Sequence, residues 1–267
     1  MRGAPLSTRG DTVVHPSALV DPLAELGQGV KVGPWCLVGP RVQIGDGTEL
    51  GSRVLIERDT QVGEDCRIAC GAVLGSDAQD MKYQGEESWL VVGDRSVIRE
   101  YATLNRGTAA SGRTVVGSDC LIMAYAHVAH DCTLGNHVIL ANAVNMGGHV
   151  LMEDWVTVGG LSGIHQFVRL GAHSFVGGAS RITQDVPPYC RVVGNPPRLL
   201  GLNSVGLERR GVSPEVRQAL KRAYRTLFQA KLKLSEGVKR AEAAADVVPE
   251  VRHLLSFIRA SRRGIID

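Results

Sequence analysis

The chain has 267 residues, 44% of them hydrophobic and 21% charged, which is ordinary globular usage and excludes a disordered or collagen-like chain. Aromatic residues supply only 4% while glycine contributes 32 residues, so the core must be built from small and β-branched side chains. The net charge of +3 hides an asymmetry: residues 205–267 hold 14 Lys/Arg against 7 Asp/Glu, or +7, leaving 16 against 20, or −4, for residues 1–204.

The opening run Met1-Arg2-Gly3-Ala4-Pro5-Leu6-Ser7 lacks the apolar stretch of a signal peptide, and no run approaches the roughly 18 apolar residues of a membrane helix, so a cytoplasmic location is expected. From Val14 onward the pattern has a period of six. Val14 through Ile68 open ten hexads in register, Val92 and Ile98 open two more, and Val116 through Ile182 open twelve. All 24 first positions are Val, Ile, Leu or Met; every fifth position is Ala, Val, Cys, Ser or Thr; the second is glycine in 13. Neither a 3.6-residue helix nor one long alternating strand has this period, whereas short strands joined by tight turns do. The spacing predicts a mainly β fold, a left-handed parallel β-helix with three hexads per coil. The first position points inward, the small fifth position packs beside it, and glycine is expected to supply the corner angles. About eight coils result, stacked over roughly 40 Å. Cys36, Cys66, Cys120 and Cys132 fall at the fifth position, as small buried side chains.

Two interruptions break the register, near 76–90 and near 106–114. The first is polar, through Asp80, Met81, Lys82 and Tyr83; the second is rich in Gly, Ala, Ser and Thr and carries Arg106 and Arg113. Loops expelled from a rigid solenoid are where function is expected. After Val186-Pro187-Pro188 and Asn195-Pro196-Pro197 the ladder cannot continue. The β-helix is therefore assigned to residues 1–200 and a C-terminal α-helical domain to 201–267. Ser213 with Pro214 opens an amphipathic helix to about Lys231, and further helices are expected at Ser235–Ala245 and Pro249–Arg259. These helices should cap the last coil, which otherwise leaves an open edge.

His127, His130, His149 and His165 recur at nearly whole-coil intervals in the later coils and avoid both inward positions, so they are expected to cluster and to point outward. Such a cluster fits a zinc site of the γ-class carbonic anhydrase type, or acyl transfer with one histidine as general base. Spacing alone leaves both open.

The runs Ala126-His127-Val128-Ala129-His130-Asp131-Cys132, Gly147-Gly148-His149-Val150, Ile164-His165-Gln166-Phe167, Gln184-Asp185-Val186-Pro187-Pro188-Tyr189 and Gly206-Leu207-Glu208-Arg209-Arg210-Gly211 closely resemble the UDP-N-acetylglucosamine 3-O-acyltransferase family of lipid A biosynthesis. The resemblance spans nearly the whole chain. It implies a homotrimer that moves an (R)-3-hydroxyacyl chain from acyl carrier protein to the sugar 3-hydroxyl of UDP-N-acetylglucosamine. It further implies His130 as general base, Asp131 as its support and the Gly148 amide as oxyanion donor. His127, His149, His165 and Gln166 would line the substrate site. Asp80 and Lys82 would hold the sugar and phosphate region, Asn203 and Arg209 the nucleotide end, and Gly178 would border the acyl groove, where its missing side chain favours a long chain. No metal, no cofactor and no nucleic-acid partner are implied. The basic residues Arg217, Lys221, Arg222 and Arg225 fit a docking surface for the acidic carrier protein. The related N-acyltransferase acting on UDP-3-O-acylglucosamine is a weaker match, since it carries an additional N-terminal uridine-binding domain, whereas the repeats begin here by Val14.

Overall fold

The structure, a computed structural model, describes residues 10–244 and 248–267. The Met1–Ser7 run and the expected helix end at Ala245 lie outside the described residues. The chain forms two compact units, one up to Cys132 and one from Thr133.

In the first unit the hexads become two-residue strands that pair in parallel with the strand one coil on. Val13–Val14 pairs with Lys31–Val32, that strand with Glu49–Leu50, and that with Arg67–Ile68, at a constant offset of 18. The offset then rises to 30 between Arg67 and Val97, and to 24 between Val97 and Leu121. Both insertions therefore leave the ladder in register, because the extra residues loop out and the inward side chains keep their places. Val73–Ser76 and Trp89–Val92 extend the walls into the expected first interruption, and Arg113–Val116 into the second, so the true excursions are shorter than the sequence suggests. Two more parallel ladders, from Leu19–Val20 to His127–Val128 and from Glu25–Leu26 to Arg113–Val116, complete the walls.

The second unit repeats the pattern through Ile139–Leu140, Thr157–Val158, Phe175–Val176 and Cys190–Val193. There Arg198–Leu202 turns back antiparallel and ends the ladder. Among the described residues four α-helices follow: α1 (Ser204–Arg209), α2 (Pro214–Tyr224), α3 (Leu234–Glu242) and α4 (Pro249–Ala260). Ser213 caps α2 by accepting the Val216 amide, with Pro214 in the first turn. Beyond Tyr224 the helix widens into a π turn, Arg225–Gln229, instead of running regularly to Lys231. The short α1 escapes the sequence reading, having too few residues to show an apolar stripe. Leu207, Leu220, Leu227, Val238, Leu254 and Phe257 form the apolar core of this region together with Tyr189. The helices do close the final coil: Arg169 lies over the Phe257 ring at 4.5 Å, and Tyr189 meets His253 at 2.9 Å. Among the described residues no helix is long and apolar enough to cross a membrane.

First-position side chains are buried as the pattern requires from Val32 and Ile44 through Ile122 to Leu170 and Ile182, whereas in the first coil Val14 is exposed and Val20 and Leu26 are only partly buried. Cys36, Cys66, Cys120 and Cys132 are buried free thiols. The expected role of glycine is corrected. Left-handed φ falls at the fourth position of the hexad, mostly on residues other than glycine, including Trp35 (62°), Asp131 (60°), His149 (60°) and Trp155 (64°). Asp and His tolerate this region better than most side chains. Second-position glycines instead answer to close approach: a Cβ on Gly33 would stand 2.5 Å from the Gly51 carbonyl oxygen, and one on Gly45 would stand 2.6 Å from the Gly63 carbonyl carbon. Successive coils touch there through bare backbone.

Candidate active site

In the first unit the strand His127–Val128 leads into the corner that carries His130 and Asp131. The two side chains interact directly, His130 Nδ1 standing 2.8 Å from Asp131 Oδ2. His130 is not a surface residue: both it and Asp131 are buried. Of the four histidines expected to point outward, His130 is thus covered, and part of the 106–114 segment supplies three hydrogen bonds to the neighbouring carboxylate. The Thr108 amide donates to Oδ1 at 3.0 Å, the Thr108 hydroxyl donates to Oδ2 at 2.8 Å, and the Ser111 hydroxyl donates to Oδ1. Burial alone would raise the Asp131 pKa, but the hydrogen bonds from Ser111, Thr108 and His130 outweigh it and hold the carboxyl at about 2. An ionised carboxylate only accepts, so Nδ1 of His130 carries the ring proton and Nε2 is the basic nitrogen.

His127 is half-buried, with Nδ1 2.7 Å from the Thr103 hydroxyl. Burial, and then the neighbouring His130, hold its imidazole below the ordinary value, which favours a neutral ring. Asp80 and Lys82 lie on the first excursion. The Asp80 carboxylate accepts the Lys82 amide at 3.0 Å, leaving the Lys82 side chain exposed. That excursion is anchored from beneath by Arg106. Although it begins the second interruption, Arg106 is fully buried, donating to the Gly75 carbonyl, to Asp77 and to the Tyr83 hydroxyl.

In the second unit, Gly148 accepts the Phe167 amide through its carbonyl at 3.2 Å, and the Phe167 ring stacks on His149 with centroids 4.5 Å apart and planes within 6°. His165 and Gln166 are exposed, Nδ1 of His165 lying 3.1 Å from the Gln166 carbonyl. A Cβ on Gly147 would stand 2.8 Å from the Gln166 amide nitrogen, so the Gly147-Gly148 pair sits close under this turn. Gly178 is exposed, and a Cβ there would meet only the Gly160 backbone, its oxygen at 3.2 Å. Asn203 is buried as the cap of α1, accepting the Gly206 amide and donating to the His173 carbonyl. Arg209 ends the same helix, exposed. Arg217, Lys221, Arg222 and Arg225 line a cavity of about 560 Å³ beside Ser204 and Leu207.

Sequence reasoning missed Thr108, Ser111, Thr103 and Phe167. The Ser/Thr content of 106–114 signalled a loop; nothing in one dimension aims those hydroxyls at a residue some 20 positions away. Phe167 was visible in the Ile164-His165-Gln166-Phe167 run, but its stacking on His149 depends on coil register.

A parallel β-helix with a carboxylate-held histidine at a corner is the framework of a hexapeptide-repeat transferase. Residues 113–148 match the bacterial transferase hexapeptide family (six repeats), and residues 185–266 match domain 2 of the UDP-N-acetylglucosamine O-acyltransferase family. The chain is 52% identical to the acyl-[acyl-carrier-protein]--UDP-N-acetylglucosamine O-acyltransferase of Myxococcus xanthus, over 94% of this chain and 98% of the relative. It is 56% identical to the enzyme of that name from Paracidovorax citrulli, again over 94% and 98%. The solved structure of a UDP-N-acetylglucosamine acyltransferase from Bacteroides fragilis superposes with a TM-score of 0.94 at 37% identity, covering 96% of this chain and 100% of that one. The chain belongs to the acyl-[acyl-carrier-protein]--UDP-N-acetylglucosamine O-acyltransferase family.

Proposed function

We propose that this chain transfers an (R)-3-hydroxyacyl group from acyl carrier protein to the 3-hydroxyl of UDP-N-acetylglucosamine, the first acylation of lipid A biosynthesis, with His130 as general base. The observation that carries the mechanism is the contact between His130 Nδ1 and a buried, ionised Asp131. A sugar hydroxyl is far too weak an acid to ionise near neutral pH, so its proton must leave as it attacks. Nε2 of His130 takes that proton while the sugar oxygen bonds to the thioester carbonyl carbon. The resulting oxyanion collapses, the carbon–sulfur bond breaks, and the imidazolium returns its proton to the departing thiolate. Asp131 stabilises the transient imidazolium and holds the tautomer, without itself taking the proton.

In the same reading the Gly148 amide donates to the oxyanion, a role suited to glycine because substrate must approach the backbone closely. His127, His149, His165 and Gln166 contact substrate. Asp80 and Lys82 meet the sugar and phosphate region, Asn203 and Arg209 lie toward the nucleotide, and Gly178 borders the acyl chain. The assembly is a cytoplasmic homotrimer, the acidic carrier protein docks on the basic side of α2, and residues 1–200 and 201–267 are its β-helix and helical domains. One experiment tests the reading: purified protein is offered a panel of acyl carrier protein thioesters with UDP-N-acetylglucosamine and with its 3-amino analogue. Acyl transfer to the 3-hydroxyl is expected. No transfer from any thioester, or transfer to the amine alone, would overturn it.

A further inference from the structure

Asp131 receives more hydrogen bonds than its partnership with His130 requires, and Thr108 and Ser111, which both donate to its carboxylate, belong to one expelled loop. Thr108 gives an amide and a hydroxyl, one to each oxygen, and Ser111 gives a hydroxyl to Oδ1, while His130 meets Oδ2. A carboxylate bonded through both oxygens in this way cannot rotate about its own axis without breaking donors, so its plane is fixed. The Asp131 amide is fixed too, donating to Thr114 Oγ1 at 2.8 Å.

The loop is also held by its own backbone. It closes on itself through the Gly112 amide and the Thr108 carbonyl at 2.8 Å, and is tied to the wall through Trp89, which donates to the Gly112 carbonyl and accepts from the Gly107 amide. Glu86, from the other excursion, accepts the Ala109 amide at 3.2 Å. The hydroxyls of Thr108 and Ser111 also brace the loop itself, Thr108 Oγ1 accepting the Ala110 amide at 3.2 Å and Ser111 Oγ lying 2.9 Å from the Arg113 carbonyl, so Tm has to be read beside kcat in their variants.

We propose that Thr108 and Ser111 are positioning residues that orient the His130 imidazole through Asp131. The inference rests on the reading of His130 as general base. The corner backbone at Asp131 brings the two side chains together but leaves the rotation of the carboxylate plane to be set by other contacts. The loop provides them: a fixed carboxylate plane fixes the direction from which Oδ2 meets Nδ1, and hence where Nε2 points.

The test compares kcat, KM for both substrates and Tm of Thr108→Val and Ser111→Ala with those of Thr108→Ser and Ser111→Thr, which keep a hydroxyl. On the order of a tenfold fall in kcat is expected for each of the first two, the usual worth of a hydrogen bond to a charged group, with KM little changed and most activity retained in the conservative pair. In an Asp131→Asn background the same two changes should cost about twofold or less, because they act through that carboxylate. Wild-type kcat in folded Thr108→Val and Ser111→Ala, or an undiminished loss in the Asp131→Asn background, overturns the proposal. If Thr108→Val does not fold, Ser111→Ala on the exposed loop surface decides the outcome by the same criteria. Retained turnover in His130→Ala would instead overturn the general-base reading itself, and is measured separately.

Discussion

His130 and Asp131 are adjacent in the chain, yet their side chains converge, Nδ1 to Oδ2 at 2.8 Å, beneath a loop that donates to the same carboxylate. The convergence depends on Asp131 adopting φ of 60°, the left-handed corner conformation that recurs at the fourth position of the hexad. The solenoid corner thus brings together two side chains that a regular strand would hold apart, since successive side chains of a strand point to opposite faces.

Removing the imidazole should separate catalysis from folding. For His130→Ala, kcat is expected to fall by about 10²–10⁴-fold, the range for a lost general base. Burial adds a second consequence: stability should drop by roughly 1–3 kcal/mol, because Asp131 loses a partner in a water-poor setting. Saturating kinetics and thermal melts measure the two effects independently. Near-normal kcat in the folded variant would remove His130 from the mechanism.

The Asp131 carboxyl sets a pH dependence whose sign can be stated. Its folded pKa, about 2, lies below its ordinary value of 3.8, so the group stabilises the fold above about pH 4 and that contribution disappears as pH falls toward 2. The difference corresponds to about 2 kcal/mol. Denaturant titrations of the wild type and Asp131→Asn should show a stability gap at pH 5 that shrinks by this amount at pH 2. A gap independent of pH would mean that the carboxyl is not held ionised by its neighbours.

How far the sequence reaches is clear from individual positions. First-position residues such as Ile56, Ile98 and Val158 announce their burial through a period that no other architecture shares, so the β-helix was legible almost residue by residue. The excursions were legible as breaks in that period. Their interiors were not: Arg106 stands in a polar, glycine-containing stretch, yet it is fully buried, because its partners Gly75, Asp77 and Tyr83 come from the other break. The site divides in the same way. His130 and Asp131 could be singled out by motif, whereas the hydroxyls that hold Asp131 are chosen by coil stacking, and local composition does not encode stacking.

The two kinds of glycine predict opposite responses to alanine. Gly45 faces the Gly63 backbone at 2.6 Å from where a Cβ would stand, and two covalently fixed main chains cannot both move aside. Gly45→Ala should therefore cost roughly 1–3 kcal/mol through overpacking. Gly163 has nothing within 4 Å of its Cβ position, and Gly163→Ala should be near neutral. Chemical denaturation of both variants checks the contrast; equal losses would show that backbone freedom, not close approach, governs these positions.

The proposed docking of carrier protein on α2 predicts a salt effect. Arg217, Lys221, Arg222 and Arg225 share one cavity wall, and exposed charges attract an acidic partner over a distance that shrinks as ionic strength rises. KM for the acyl carrier substrate should increase between low and physiological salt, while KM for a small acyl thioester stays nearly constant. A Lys221→Glu, Arg222→Glu double variant should reproduce the high-salt behaviour at low salt. Carrier kinetics indifferent to both changes would move docking to another surface.

Gly178 offers a test of how the acyl chain is measured. It is exposed, its φ lies outside the left-handed region, and a Cβ would meet only the Gly160 backbone, at 3.2 Å, so a side chain can be added with a small local adjustment. That separates it from Gly45, where the same addition has nowhere to go. If the acyl chain runs past this point, as proposed, a bulky residue in Gly178→Met blocks its far end and leaves the reacting carbonyl untouched. Each buried methylene is worth about 0.8 kcal/mol, or roughly fourfold in kcat/KM, so a chain shortened by four carbons escapes a penalty of more than a hundredfold. Competition among carrier thioesters of graded length should therefore show the preferred chain shifting several carbons shorter, with kcat on the new optimum close to the wild-type value on its own. A folded Gly178→Met enzyme with an unchanged length profile would mean that the chain ends before it reaches this coil.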